Sequence, residues 1–169
     1  MKPAEYHRAA ARTRVAGQTY KDALCNAGLK LSGEAGEVLQ TAVNVGSVTR
    51  AEKIAELGDV CWYIALIADT IGADADHLWE TYDPVVAVTW FSAGVHLTLA
   101  ATATSENIGK HLYHGKDKAL IVSPLSRTVA AVYACAAVLG VPIEDVWATN
   151  VEKLKARWPD GFKRTDSGT

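Results

Sequence analysis

Along this chain the apolar residues recur at the three- and four-residue intervals of a helix. No alternating apolar and polar stretch is bounded by the turn residues that a hairpin needs. This pattern predicts an all-α fold, a helical bundle, because a half-buried sheet requires side chains that alternate between two faces. At 169 residues, 49% hydrophobic and 21% charged, the chain is long enough to bury one substantial core. It reads as a single domain over 1–162, followed by a polar, loose tail over 163–169.

The predicted helices run from Pro3 to about Val15, from about Lys21 to Asn44, and from Thr49 to Gly72, where Thr49 and Glu52 form a capping box. A short one opens at Asp74 or Asp76 and is interrupted by Pro84. Val86 to Ala103 reads as a buried helix, and Glu106 to Tyr113 leads into the turn His114-Gly115-Lys116-Asp117. Ser126 to Leu139 is a second buried helix, ending at Gly140. A last one follows Pro142 and stops at Pro159. An internal echo suggests a tandem duplicated unit, with halves 1–84 and 85–162. Ile71-Gly72 followed by Asp76, Leu78 and Trp79 returns as Leu139-Gly140 followed by Glu144, Val146 and Trp147.

A net charge of −2 gives no basic footprint for nucleic acid. Cys25, Cys61 and Cys135 lack the paired spacings of a disulfide framework or zinc site and read as reduced core thiols. The stretches Val60 to Ala68 and Val129 to Val141 fall short of the roughly 20 apolar residues that span a bilayer. With no signal-like N-terminus, these features lead to the expectation of a cytoplasmic protein, or one of the host cytoplasm if viral, with no membrane partner.

Two acid pairs carry the chemistry. Gly33-Glu34-Ala35-Gly36-Glu37 and Glu56-Leu57-Gly58-Asp59 each set two carboxylates at i and i+3, on one helix face. If the two helices pack side by side, Glu34, Glu37, Glu56 and Asp59 converge. Four such anions cannot all stay ionised without cations between them. Hard oxygen ligands suit Mg²⁺ or Mn²⁺. A lone Glu-x-x-Glu is commonly just a solvated helix face. Here an apolar context follows Asp59, and Gly33, Gly36 and Gly58 flank the acids at a helix cost of roughly 1 kcal/mol each. These glycines point to close backbone approach.

Glu34-Ala35-Gly36-Glu37-Val38 and Glu56-Leu57-Gly58-Asp59-Val60-Cys61-Trp62-Tyr63 resemble the MazG-like family of all-α nucleoside triphosphate pyrophosphohydrolases. The family's motif is Glu-x-x-Glu, a helical spacer, then Glu-x-x-Asp. The opening Glu5-Tyr6-His7-Arg8 and the closing Asn150-Val151-Glu152-Lys153-Leu154-Lys155-Ala156-Arg157 are also similar to phage and bacterial members. The second half departs from the pattern: Gly109 replaces an acid, and Leu125-Ser126-Arg127 stands where Leu-Gly-Asp is expected. A composite site would draw metal ligands from the first half and Asn150, Lys153 and Arg157 from the second.

The resemblance implies Mg²⁺- or Mn²⁺-dependent hydrolysis of nucleoside or deoxynucleoside triphosphates, dGTP or GTP among them, to monophosphate and pyrophosphate. Glu37 would orient or deprotonate the water, and Lys153 and Arg157 would hold pyrophosphate. Asn26 and Lys30 are candidates for contacting the nucleotide, while Trp62 reads more as core than as a stacking platform. A homo-oligomer, dimer or tetramer, is expected. The competing reading is a non-catalytic helical interaction module of the same family. A ferritin-like di-iron site is disfavoured, because no histidine follows any glutamate by three. His111 and His114 read as an exposed turn.

Overall fold

The computed structural model describes residues 1–44 and 46–161. The tail expected to be loose lies outside the described residues. Among those residues the fold is all-α, with seven helices and no strand. They are α1 (Pro3–Ala11), α2 (Tyr20–Val43), α3 (Arg50–Ile71), α4 (Ala75–Glu80), α5 (Trp90–His114), α6 (Ala119–Leu139) and α7 (Ile143–Arg157).

The four long helices form a ring in which α2 packs on α3, α3 on α6, α6 on α5 and α5 on α2, leaving α2/α6 and α3/α5 as diagonals. The ring closes because each long helix buries an apolar stripe against two neighbours. Leu31, Ala35, Val38, Leu57, Ile64, Leu97, Leu125 and Val129 are fully shielded within it. Outside the ring, α7 and α1 lie against α3, and α4 bridges α1 and α6. There Tyr6 stacks on Trp147 (centroids 5.3 Å, planes 11° apart), and Trp147 meets Trp79 edge-on at 5.0 Å.

The start signals act locally as expected. Thr49 Oγ1 accepts from Glu52 N (3.2 Å) while Glu52 Oε2 accepts from Thr49 N (2.7 Å), closing the capping box on α3. Asp74, rather than Asp76, caps α4, accepting from His77 N at 2.7 Å. Gly72 and Gly140 end α3 and α6 at φ +72° and +65°, a left-handed conformation that costs a Cβ-bearing residue more. Arg50 and Lys118 then cap each other's helix. Arg50 Nε and Nη2 donate to the carbonyls of Leu139 and Gly140 (2.9 and 3.0 Å), and Lys118 Nζ donates to that of Ile71 (2.7 Å).

Several boundaries differ from those expected, and the short α4 already ends at Glu80, before Pro84. The first helix ends at Ala11 rather than near Val15. Val86 and Val88 are 85% and 86% exposed in a non-helical connection. The helix starts only at Trp90, where Thr89 and Ser92 supply the cap, and runs unbroken to His114. The polar residues near Glu106 form its outer face rather than a break. Finally, α6 begins at Ala119, seven residues before Ser126, with Pro124 inside it. Proline there removes only the partner of the Leu120 carbonyl, near the helix start and on a half-exposed residue that water reaches. At 21 residues, α6 is long and apolar enough to cross a bilayer, whereas the sequence reading put its apolar run short of that; here it packs against α5, α3, α4 and α7.

Candidate metal centre

Glu34 projects from the middle of α2, and Glu56 and Asp59 from one face of α3, where the two helices pack together. Each of the three offers a carboxylate oxygen, and these oxygens lie within 4.8 Å of one another, all on partly buried residues. It is the one such group of potential metal-ligating side chains among the described residues. The helical spacing explains it: Glu56 and Asp59 are three apart and share a face, and the α2–α3 contact brings Glu34 against them.

Glu37, one turn beyond Glu34, is exposed and stands outside this group of converging oxygens. Its charge is nevertheless felt there. The Glu34 carboxyl is pushed up to about 7, first by burial, then by the negative charges of Glu37, Asp59 and Glu56, with Lys30 opposing. Glu56 is raised by burial and by Asp59, with Lys153 opposing. Burial first, and mutual repulsion second, make the ionised carboxylates costly at this site. A hard divalent cation offsets that cost, and an all-oxygen donor set of this kind fits Mg²⁺ or Mn²⁺.

α7 supplies the positive side. Lys153 Nζ forms an ion pair with Asp59 Oδ2, and Asn150 Nδ2 donates to Asp59 Oδ1 at 3.2 Å. Asn150 is fully buried, and its other end is fixed by the shielded Tyr6 hydroxyl, which donates to Asn150 Oδ1 at 3.0 Å. That bond sets which way the amide faces, so that its NH₂ group and not its oxygen meets the carboxylate. A Cβ built on Gly58 would lie 2.9 Å from Asn150 Cβ, so glycine at 58 is what lets α7 approach α3. Gly33 and Gly36 have nothing within 4 Å of such a Cβ. The close approach expected at all three glycines is found only at Gly58, because the other two face outward from α2.

A cleft of about 130 Å³ opens beside the acids. Glu34 and Asp59 bring negative charge to its lining and Lys153 and Arg157 positive charge, with Trp62, Tyr63, Leu154 and Trp158 between them. Arg157 lies over the Trp158 ring at 4.6 Å. Burial, with Glu34 and Asp59 nearby, pushes the Tyr63 hydroxyl up to about 12, so it stays a neutral donor at physiological pH. Trp62 ties α1 to α3 as well as lining the cleft, donating to Thr13 Oγ1 (2.9 Å) and the Ala10 carbonyl (3.2 Å). Asn26 and Lys30 are exposed on α2, two turns and one turn before Glu34, outside the cleft lining.

Tyr6, Tyr63 and Trp158 carried no role in the sequence reading. Tyr6 reaches Asn150 across 144 positions of chain, and no local spacing signals such a pair. His111 bonds Tyr20 and the Lys116 carbonyl at the end of α5 and belongs to no ligand cluster among the described residues. The three cysteines are free thiols, with Cys61 and Cys135 buried in the core. No family model, curated protein or solved structure matches this chain.

Proposed function

We propose that this chain is a divalent-cation-dependent nucleoside triphosphate pyrophosphohydrolase of the MazG-like kind. The observation that carries the reading is the meeting of Glu34, Glu56 and Asp59 from α2 and α3 with Asn150 and Lys153 from α7 at a single carboxylate, Asp59. Acids for a cation and bases for a polyphosphate thus come from opposite ends of the chain and share one cleft.

Glu34, Glu56 and Asp59 would hold Mg²⁺ or Mn²⁺, which supplies charge neutralisation at phosphate oxygens and a more acidic bound water. Glu37, exposed beside the cluster, is the residue to orient the attacking water or take its proton. Water adds to the α-phosphorus, the bond from that phosphorus to the oxygen bridging to the β-phosphorus breaks, and pyrophosphate leaves with that oxygen. Arg157 grips the departing pyrophosphate in a fork, and Lys153 swings from Asp59 to its charge. The work is positioning and electrostatics, with no covalent nucleophile. A cleft of about 130 Å³ is well under the 300 Å³ or so at which pockets begin to enclose a whole small ligand. It suits the phosphates alone, which leaves ribose and base over the exposed Asn26 and Lys30 face of α2.

The test is a panel of ribo- and deoxyribonucleoside triphosphates with Mg²⁺ or Mn²⁺, scoring monophosphate and pyrophosphate. Turnover is expected with at least one base, dGTP or GTP being the first to try. It should fall at least about 100-fold in Asp59→Asn, which loses both a cation ligand and the Lys153 ion pair. Orthophosphate as the product, or no turnover of any triphosphate, would overturn the reading. Light scattering on the purified protein checks the accompanying expectation of a dimer or tetramer.

A further inference from the structure

The interval of chain between Gly72 and Gly140 also separates Arg50 from Lys118 and Trp79 from Trp147. These are the helix ends, the cations that cap them reciprocally and the buried indoles that follow. Applied to the acidic cleft, the same interval carries Asp59 to Arg127 and Tyr63 to Ala131. Run backwards, it carries Lys153 to Val85.

Those three destinations fall together. Val85, Arg127 and Ala131 line one cleft of about 370 Å³ between α5 and α6, with His96, Leu99 and Ala103. Three of the eight residues lining one cleft thus have counterparts in the lining of a second, nearly three times larger. Its chemistry is inverted. A guanidinium replaces the carboxylate, an apolar side chain replaces the lysine, and no acid is in the lining. Pro124 stands at the counterpart of Glu56, so the cation-binding pair is gone from this side. Among the described residues the exposed side chain of Arg127 has neither an ion pair nor a hydrogen bond, unlike that of Asp59, which is partly buried and held by two groups from α7.

We infer that the Arg127 cleft is a second ligand site, taking a small monoanion with an apolar body, such as an aromatic or aliphatic carboxylate or sulfonate. Each part of that ligand has its counterpart in the lining. Arg127 offers a planar fork to one oxyanion. Leu99, Ala103, Ala131 and Val85 give an apolar wall for the rest. The volume lies in the range of small-molecule pockets, roughly 300 to 1,000 Å³. With the carboxylates lost, the cleft has no means of holding a cation-bound polyphosphate. The site is independent of the hydrolase reading and stands or falls separately.

The probe is anilinonaphthalene sulfonate, a fluorescent monoanion of this class, titrated into the intact folded chain. One saturable site is expected. Arg127→Gln should weaken it about tenfold or more, the loss of a charge-assisted hydrogen bond. Arg127→Lys, which keeps the charge but not the fork, should weaken it less than Arg127→Gln does. Ala103→Trp, which fills the cleft, should abolish it while circular dichroism shows the helices intact. Equal affinity in native protein and Arg127→Gln would overturn the proposal, showing that the dye reads only exposed apolar surface. Undiminished binding to Ala103→Trp would overturn it as well, by placing the dye elsewhere.

Discussion

Glu34 is where the electrostatic strain of the acidic cluster shows most directly. Its folded-state value of about 7 lies above the 4.5 of an unperturbed glutamate, so between these values the folded chain holds a proton that the unfolded chain has released. Stability of the cation-free protein should therefore fall as pH rises from about 4.5 through 7 and then level off. Thermal melts between pH 4.5 and 8 check this, and Glu34→Gln should flatten the decline. Mg²⁺ or Mn²⁺ should raise the melting temperature more at pH 8 than at pH 6, because the ion competes with that proton. A second residue-scale prediction concerns Tyr6. Tyr6→Phe keeps the ring stacked on Trp147 but leaves Asn150 Oδ1 without its donor. Urea unfolding should show a loss of about 1–3 kcal/mol, the cost of an unsatisfied buried acceptor. Affinity for Mn²⁺ should fall with it, since the amide that orients Asp59 is freed to turn.

At the scale of elements, the acid motif's glycines divide into two kinds. Gly58→Ala drives a methyl against Asn150 at 2.9 Å, so α7 must shift from α3, at about 1–3 kcal/mol. Gly33→Ala and Gly36→Ala meet open space in mid-helix and should each stabilise by about 0.5–1 kcal/mol. Three alanine variants measured in urea suffice, and the same sign for all three would contradict the packing described. The sequence places all three glycines beside acids and cannot separate them, because which face of α2 meets α3 is a fact of the pairing and not of the spacing. The boundary of α5 has a similar cause. Val86 and Val88 belong to an apolar run, yet they lie exposed before Thr89, and the cap at Thr89 and Ser92 decides where the helix begins.

Across the whole molecule, the reciprocal caps of Arg50 and Lys118 join the starts of α3 and α6 to each other's ends. Arg50→Ala should cost about 1 kcal/mol, seen as a shift of the denaturant midpoint with an unchanged slope. Amide exchange should quicken first at the last turn of α6, whose carbonyls lose their donors.

Helix periodicity, capping residues and the i, i+3 acid pairs are local properties of the chain. From them followed the all-α class, most helix ends, and the candidacy of Glu34, Glu56 and Asp59. Local spacing fixes which side chains share a face of one helix, since the backbone geometry is the same everywhere. It does not fix which faces meet. Only the packed helices place Asn150 and Lys153 on Asp59, set Tyr6 behind that amide, leave Glu37 in solvent and turn Gly33 and Gly36 outward. Those contacts join residues as much as 144 positions apart, and they depend on how several helices together exclude water, a property no single segment possesses.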